Sequence, residues 1–318
     1  MSEASELGAR LRERDLSAAP AVLNLVETRT RAVEVAALLR EVSPAALGGE
    51  APGHLVGITG PPGAGKSTLL SELVRAWRAR GSSVAVLAVD PSSRRSGGSL
   101  LGDRARIDYD PTDPGVFIRS TAAGEQLGGL APATRAAAQA LSAAFDVVVI
   151  ETVGVGQSET DVAEVADTVA VIVQPGSGDA LQFIKAGIMD IPDVLVVTKA
   201  DLGQIALRAR RDLHAALRSV GARDVAVIAV SSISPTQGIE ELLDALETHR
   251  AGLDVPARRL AARRHAALAD FHAEHGERGL RSLGGRRAAL RWLAEQDDRL
   301  EVPALVRALS DRAERGPV

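Results

Sequence analysis

An octapeptide at positions 60–67, Gly-Pro-Pro-Gly-Ala-Gly-Lys-Ser, constrains the fold of this chain more than any other feature. It matches the pattern G-x-x-x-x-G-K-[ST] at every position, follows an apolar run and precedes a helical pattern. Its glycines permit a loop whose backbone N–H groups converge on a phosphate at the amino terminus of a helix. Lys66 is then expected to reach the β- and γ-phosphate oxygens, and Ser67 to ligate Mg²⁺. The sequence therefore predicts a strand, a loop and a helix that bind a nucleoside triphosphate.

Short runs rich in valine and isoleucine recur through the middle of the chain, separated by helical stretches. These strand candidates are 54–60, 84–90, 116–120, 146–152, 168–175, 194–200 and 225–232. Nearly continuous apolar residues within each run indicate burial on both faces, as in a parallel sheet covered by helices. The predicted fold class is therefore α/β, a P-loop NTPase with a mostly parallel, doubly wound sheet that binds ligands at the carboxyl ends of its strands.

Changes in pattern divide the chain into three segments. Residues 1–50 predict a helical N-terminal extension of about two helices, and residues 51–250 form the P-loop domain. Residues 251–318 contain no strand candidate and are expected to form a helical C-terminal extension, interpreted as a solvated or dimerisation arm. Prolines and glycines are expected to divide this last segment into short helices; they are Pro256, Gly276, Gly279, Gly284, Gly285 and Pro303.

Composition excludes several classes of function. The absence of cysteine among 318 residues rules out a disulfide scaffold, a thiol nucleophile and metal sites built on thiolates. An aromatic content of 2% and a net charge of −4 provide few rings for base stacking and no overall attraction to nucleic acid or to anionic membranes. No apolar run approaches the length of a bilayer span, and the amino terminus lacks the apolar core of a signal peptide. We therefore expect a cytoplasmic protein without nucleic-acid or membrane partners.

Two carboxylates end buried strand candidates, Asp90 at 84–90 and Glu151 at 146–152. At the carboxyl edge of a parallel sheet each could hold Mg²⁺ directly or through water. An ordinary helix-capping role remains open for both. Gly154 follows Glu151 after two residues, a spacing that resembles the D/E-x-x-G signature of nucleotide switches, in which the glycine N–H senses the γ-phosphate.

Thr198-Lys199-Ala200-Asp201 resembles the [N/T]-K-x-D motif with which GTPases read guanine. A carboxylate accepts from both N1–H and the N2 amino group of guanine, and adenine does not offer that pair of donors. Ser231 and Ser232, after the last strand candidate, are placed like the loop that closes over the base, although serines often end strands. Only three of the 37 basic residues are lysines, and two of them, Lys66 and Lys199, fall in these motifs.

The third lysine, Lys185, follows a glycine-rich stretch at 175–178. This segment could be a switch that responds to the nucleotide, or a plain strand-to-helix turn with an exposed lysine.

Long strings of this sequence resemble the MeaB/MMAA (ArgK-type) family of GTPase chaperones. They are GPPGAGKS, AVDPSSRRSGGSLLGDRARI, FIRS with LGGLA, ETVGVGQSE, QPGSGDALQFIKAGI and TKAD, and the resemblance covers about residues 50–245. It implies a homodimeric GTPase of the signal-recognition-particle-like class. Such a protein assists an adenosylcobalamin-dependent acyl-CoA mutase of the methylmalonyl-CoA mutase type, with GTP hydrolysis gating cobalamin delivery and protecting or reactivating the mutase. No cobalamin site on this chain itself is implied.

The resemblance also implies roles for individual residues. The phosphates and Mg²⁺ would be held by Gly63, Ala64, Gly65, Lys66, Ser67 and Thr68, with Asp90, Asp103 and Glu151 around the metal. Arg106 would lie in the first switch and Gly154 at the γ-phosphate. Asp179, Gln182 and Lys185 would couple the nucleotide state to the mutase. No residue is an evident water-activating base, as in a slow GTPase that its partner accelerates.

The chain departs from the family pattern at two motifs. Thr198 stands where the family usually has Asn, which puts guanine affinity in question, and residues 121–125 lack an arginine often found there. Two other functions remain open. A nickel-insertion GTPase would be expected to carry a Cys/His tract, whereas this chain offers only His265, His272 and His275 in its last segment. A kinase of a transport protein would need an acceptor-binding segment and a base for the incoming hydroxyl.

Overall fold

The computed structural model describes residues 2–28, 30–90, 107–122, 132–152, 162–176, 192–222 and 224–315. The described strands are β1 (His54–Thr59), β2 (Val84–Asp90), β3 (Val116–Ala122), β4 (Val147–Thr152), β5 (Thr168–Val173), β6 (Val194–Val197) and β7 (Ala226–Ala229). The helices are α1 (Glu3–Arg12), α2 (Ala19–Glu27), α3 (Ala32–Glu41), α4 (Pro44–Leu47), α5 (Lys66–Ala79), α6 (Pro132–Leu141), α7 (Gln204–Ser219), α8 (Ile239–Ala251), α9 (Val255–Ser282), α10 (Arg286–Leu293) and α11 (Val302–Arg315).

All the strands form one sheet, in the order β3-β2-β4-β1-β5-β6-β7. Every neighbouring pair runs parallel, which confirms the predicted fold class and each of the predicted strands. Strands β1, β4, β5 and β6 are buried along their whole length, as their continuous valines and isoleucines predict.

β1 lies in the middle of the sheet, and its two neighbours come from different parts of the chain. Ile58 is in register with Glu151 of β4 on one side and with Ala170 of β5 on the other. The chain leaves β1 toward β2 on the β4 side and later fills the other side with β5, β6 and β7. The loop after β1 is therefore at the point where the strand order reverses, the place where open α/β sheets bind their ligands.

Helices α5 and α8 cover one face of this sheet. Their buried residues, Leu69, Leu70, Leu73, Val74 and Trp77 of α5 with Ile239, Leu242, Leu243 and Leu246 of α8, join the strand side chains in one apolar core. Burial of each large aliphatic side chain contributes about 1.5 to 3 kcal/mol relative to exposure in water. This packing holds α5 against the sheet, so that its first turn stays at the carboxyl end of β1.

The described residues cluster into two compact units. One contains the sheet and spans Gly53–Thr134 and Phe145–Leu253; the other combines Met1–Pro52, Arg135–Ala144 and Asp254–Val318. Within this second unit Arg263 of α9 forms an ion pair with Glu50 at 2.8 Å, and Arg259 donates to the Ala51 carbonyl at 2.7 Å. The segments before and after the sheet are thus bonded to each other.

The helical segments differ in detail from the prediction. Residues 2–50 form α1 to α4 rather than about two helices. The prediction that Pro256 divides the last segment is wrong, because α9 begins at Val255 and continues past this proline to a kink at Gly276. Pro256 lies in its first turn, where a missing N–H costs nothing, and the Asp254 side chain caps that turn. Gly276 has a non-helical φ of 61° and ψ of −166°, so α9 consists of two helices joined at a kink, as the glycine at this position predicts. Among the helices that the structure describes, none is long and apolar enough to cross a membrane.

Candidate functional site

The loop between β1 and α5 has the backbone that the octapeptide predicts. Gly60, Gly63 and Gly65 have φ angles of 150°, 77° and 89°, a range that side chains disfavour. A Cβ at Gly60 would lie 2.5 Å from the Ile172 carbonyl oxygen of β5, so the close approach of loop and strand requires glycine. Gly65 precedes α5 and provides no side-chain cap, which leaves the first N–H groups of the helix facing outward for a ligand.

Lys66 is buried, with 8% of its surface exposed, and its side chain contacts the loop that precedes it. Its ammonium donates to the Gly60 carbonyl at 2.8 Å and to the Pro61 carbonyl at 3.2 Å. A buried cation needs such partners because its desolvation is costly. These contacts hold a positive charge within the loop, where phosphate oxygens could exchange with the carbonyls.

Ser67 and Glu151 meet at the carboxyl edge of β4. The Ser67 hydroxyl donates to Glu151 Oε1 at 3.4 Å, and the carboxylate is 4% exposed. A hydroxyl beside a buried carboxylate is an all-oxygen donor pair of the kind that Mg²⁺ prefers. Asp90 is the last residue of β2, the strand next to β4. The other residues expected around the metal or in the switches, Asp103, Arg106, Gly154, Asp179, Gln182 and Lys185, lie outside the described residues.

The Thr198–Asp201 motif forms the turn that follows β6. Lys199 has a φ of 55°, uncommon for a residue with a side chain, and Asp201 follows in a short 3₁₀ turn. The Ser231 hydroxyl donates to Asp201 Oδ1 at 3.0 Å and accepts from the Ile233 N–H at 3.2 Å. Ser231 is 1% exposed, so its hydrogen bond fixes the orientation of the exposed Asp201 carboxylate from the buried side. Ser232 is half-buried and Thr68 is exposed on the first turn of α5.

Two side chains connect this turn to the phosphate loop through contacts that the motifs do not predict. The Thr198 hydroxyl donates to the Ala64 carbonyl at 2.8 Å, and Thr198 is 4% exposed. Gln174 follows β5 directly; its amide nitrogen lies 3.1 Å from the Gly63 carbonyl and its oxygen 3.0 Å from Lys199 Nζ. The amide orientation is assigned from these neighbours. No spacing pattern in the sequence identifies Gln174, because its partners come from two other parts of the chain.

The structure thus brings together Lys66, Ser67 and Glu151 at one end of the sheet edge and Lys199, Asp201 and Ser231 at the other. Among the described residues, no three histidine, aspartate or glutamate side chains converge as a metal-binding cluster.

Comparison with known proteins gives a consistent result. Residues 19–277 match the family model described as methylmalonyl-CoA mutase-associated GTPase MeaB. A protein of Pyrococcus abyssi named as a GTPase is 44% identical over 267 residues, which cover 81% of this chain and 80% of that protein. The mouse mitochondrial methylmalonic aciduria type A homolog is 44% identical over 157 residues, covering 49% of this chain and 38% of its own length. A solved structure titled LAO/AO transport system kinase aligns with a TM-score of 0.67 at 28% identity over 99% of both chains.

Proposed function

Because this chain belongs to the MeaB family of methylmalonyl-CoA mutase-associated GTPases, we propose that its GTPase cycle serves an adenosylcobalamin-dependent acyl-CoA mutase. The chain hydrolyses GTP to GDP and phosphate, gates the loading of adenosylcobalamin into the mutase, and protects or reactivates that enzyme. The name of the mouse relative, a methylmalonic aciduria type A homolog, supports a link to methylmalonyl-CoA metabolism. The cobalamin belongs to the mutase in this proposal, and the chain itself binds only the nucleotide and its metal.

The observation that carries the nucleotide assignment is the contact between Ser231 and Asp201 at 3.0 Å. It holds an exposed carboxylate at the carboxyl edge of the sheet, where it can accept from N1–H and the N2 amino group of guanine. Adenine presents an unprotonated N1 to such a carboxylate and would be repelled. Lys199 lies beside it, with its aliphatic stem available to cover the base.

At the other end, the backbone of Gly63, Ala64 and Gly65 surrounds the phosphates, with the Lys66 ammonium and the Thr68 hydroxyl as further donors. Ser67 and Glu151 would hold Mg²⁺, for which their 3.4 Å oxygen pair is chemically suited, and Asp90 and Asp103 would complete its surroundings. When bound, Mg²⁺ neutralises charge on the β- and γ-phosphate oxygens.

Hydrolysis in this site depends on positioning and charge neutralisation, because no residue is an evident base for the attacking water. Arg106 and Gly154 would respond to the γ-phosphate. Asp179, Gln182 and Lys185 would transmit that state to the mutase. The mutase in turn would accelerate hydrolysis by ordering these residues, and a homodimer in the cytoplasm is the form that the sequence predicts.

One alternative is favoured by a specific observation. The solved structure with a TM-score of 0.67 is titled as a transport system kinase, so transfer of the γ-phosphate to a protein is a second candidate reaction. The two reactions differ in their product, because a kinase leaves phosphate on an acceptor side chain whereas a GTPase releases it to water. A nickel-insertion role has no such observation in its favour.

The experiment is steady-state hydrolysis of γ-labelled GTP with and without a purified adenosylcobalamin-dependent acyl-CoA mutase. The proposal predicts free phosphate as the product and faster turnover when the mutase is added. A mutase of another cofactor class provides the matched control. Turnover that no cobalamin-dependent mutase changes would contradict the chaperone role, and label retained on protein would identify the kinase reaction.

A further inference from the structure

Gln174 and Thr198 end adjacent strands of the sheet and contact consecutive carbonyls of the phosphate loop. Gln174 follows β5 and reaches Gly63, whereas Thr198 follows β6 and reaches Ala64. Both side chains approach the loop from the side of the sheet that carries the base-reading turn.

We propose that Gln174 is a positioning residue that, beside the Thr198 contact of the base-reading motif, fixes the phosphate loop at a set distance and orientation from the base-reading turn. We call these two side chains the base–phosphate tie. The inference rests on the proposed guanine-nucleotide site, since it assigns to the tie the task of coupling the two ends of that site. Neither residue touches the reacting atoms, so neither is a catalytic residue.

Peptide geometry explains how the tie could act on phosphate binding. In a planar trans peptide the C=O and the following N–H point in opposite directions. When the Gly63 and Ala64 carbonyls are held toward Gln174 and Thr198, the N–H groups of Ala64 and Gly65 are turned away from those side chains. The Ala64 N–H makes a long contact of 3.3 Å with the Pro61 carbonyl, a bond that a phosphate oxygen could replace.

Gln174 also acts on the base-reading lysine. Its amide oxygen accepts from Lys199 Nζ at 3.0 Å, a hydrogen bond to a charged group and therefore stronger than a neutral one. The Lys199 backbone is held in the left-handed region at a φ of 55°, a conformation that persists only where its surroundings impose it. One amide group therefore contacts the phosphate loop through its nitrogen and the lysine of the base motif through its oxygen.

The tie also gives a physical meaning to the threonine at position 198. A threonine hydroxyl provides one donor, which Thr198 directs to the Ala64 carbonyl. An amide provides both a donor and an acceptor, and at this junction Gln174, from the neighbouring strand, donates to Gly63 and accepts from Lys199. Thr198 thus contacts Ala64, and Gln174 contacts both Gly63 and Lys199, which together join the base-reading turn to the phosphate loop.

The test compares Gln174→Met, which keeps the side-chain length and removes both hydrogen bonds, with Gln296→Met on the other unit as the matched control. Gln174→Glu is a second variant, which keeps an acceptor for Lys199 and loses the donor to Gly63. Since Gln174 is only half-buried, the charged side chain can be accommodated. We expect both Gln174 variants to raise the KM for GTP by about tenfold. Thermal unfolding without nucleotide is measured for each, because a merely structural role would lower the midpoint and leave the KM of the folded fraction unchanged.

The tie further predicts coupling between its two members. Gln174→Met and Thr198→Val combined should raise KM by less than the product of their separate effects, because each alone already frees the same loop. A KM for Gln174→Met equal to that of Gln296→Met would overturn the inference, and so would strictly multiplicative effects in the double variant.

Asp201→Asn, measured in parallel, separates this inference from the proposed site. If Asp201→Asn weakens GTP and Gln174→Met does not, only the tie is wrong. If Asp201→Asn also has no effect, the guanine site itself is misplaced and the tie fails with it.

Discussion

The Thr198 hydroxyl lies 2.8 Å from the Ala64 carbonyl oxygen, so the end of β6 is bonded directly to the phosphate loop after β1. These residues are 134 positions apart in the chain. The sequence places Thr198 in a motif for reading the base, yet its side chain is directed to the loop expected to hold phosphate. A substitution at the base motif can therefore affect both the stability of the loop and the binding of the nucleotide.

Thr198→Val should lower the free energy of unfolding by about 1 to 3 kcal/mol, because the shape is kept while the carbonyl of the buried Ala64 loses its donor. Urea unfolding measures this change. Thr248→Val is the control, since Thr248 is exposed on α8 and such surface changes stay within about 0.5 kcal/mol. Equal stabilities for the two variants would show that the hydroxyl contact contributes nothing.

Lys66→Ala should abolish GTP hydrolysis, because it removes the ammonium that the loop holds between its own carbonyls. Lys66→Arg should also be strongly impaired, since a planar guanidinium does not fit a site built for a compact cation. Single-turnover hydrolysis with saturating GTP measures both. Full turnover in Lys66→Ala would refute the assignment of this lysine to the phosphates.

Glu151→Gln should raise the Mg²⁺ concentration needed for half-maximal hydrolysis. The substitution keeps the size of the side chain but removes the charge from a carboxylate that contacts Ser67 at 3.4 Å and is 4% exposed. A magnesium titration at fixed GTP gives the result, with Glu240→Gln on the exposed side of α8 as the control. An unchanged titration would count against Glu151 as part of the metal site.

Acid should destabilise the sheet unit through Asp113, which lies on the connection into β3. Its hydrogen bonds with Arg78, at 2.8 and 2.9 Å, hold the pKa of the Asp113 carboxyl below its usual value, with a further contribution from the Gly115 N–H. A lowered folded-state pKa contributes stability above the unfolded-state value of about 4, and this is lost as the pH falls through the folded-state pKa.

Asp113→Asn should therefore cost about 1 to 2 kcal/mol near neutral pH, as expected for a partly buried two-point ion pair, and progressively less below about pH 4. Thermal unfolding midpoints of the wild type and the variant, measured from about pH 2.5 to about pH 7 so that they span the carboxyl pKa, follow this difference. Asp224→Asn, at an exposed position, is the control. A difference that stays constant with pH would contradict the assigned cause.

The sequence predicted the sheet well because its strands are continuous apolar runs, a local pattern. β1, for example, is six consecutive buried residues that end just before the glycine loop. The candidate residues Ser67, Glu151 and Asp201 can be proposed from the sequence for a similar reason, since the chemistry of nucleotides restricts which residue types can occupy such positions.

What the sequence could not reveal depends on contacts between distant segments. Gln174 begins the string QPGSGDALQFIKAGI, which assigns it no role, and its two partners become neighbours only when the sheet forms. The ion pair of Arg263 with Glu50 likewise joins the segments before and after the sheet in one unit, and no local sequence pattern predicts it. Pro256 was wrongly expected to divide the last segment, because the effect of a proline depends on its place in the helix, and in the first turn it is harmless.

The most direct test of the central claim, a guanine-nucleotide site read by Asp201, is the equilibrium binding of GDP and xanthosine diphosphate to the wild type and to Asp201→Asn. An amide at this position can donate to the O2 of xanthine and loses one acceptor for guanine. We predict that Asp201→Asn binds GDP at least about tenfold more weakly and xanthosine diphosphate more tightly than the wild type. Unchanged affinity for GDP in Asp201→Asn would contradict the account.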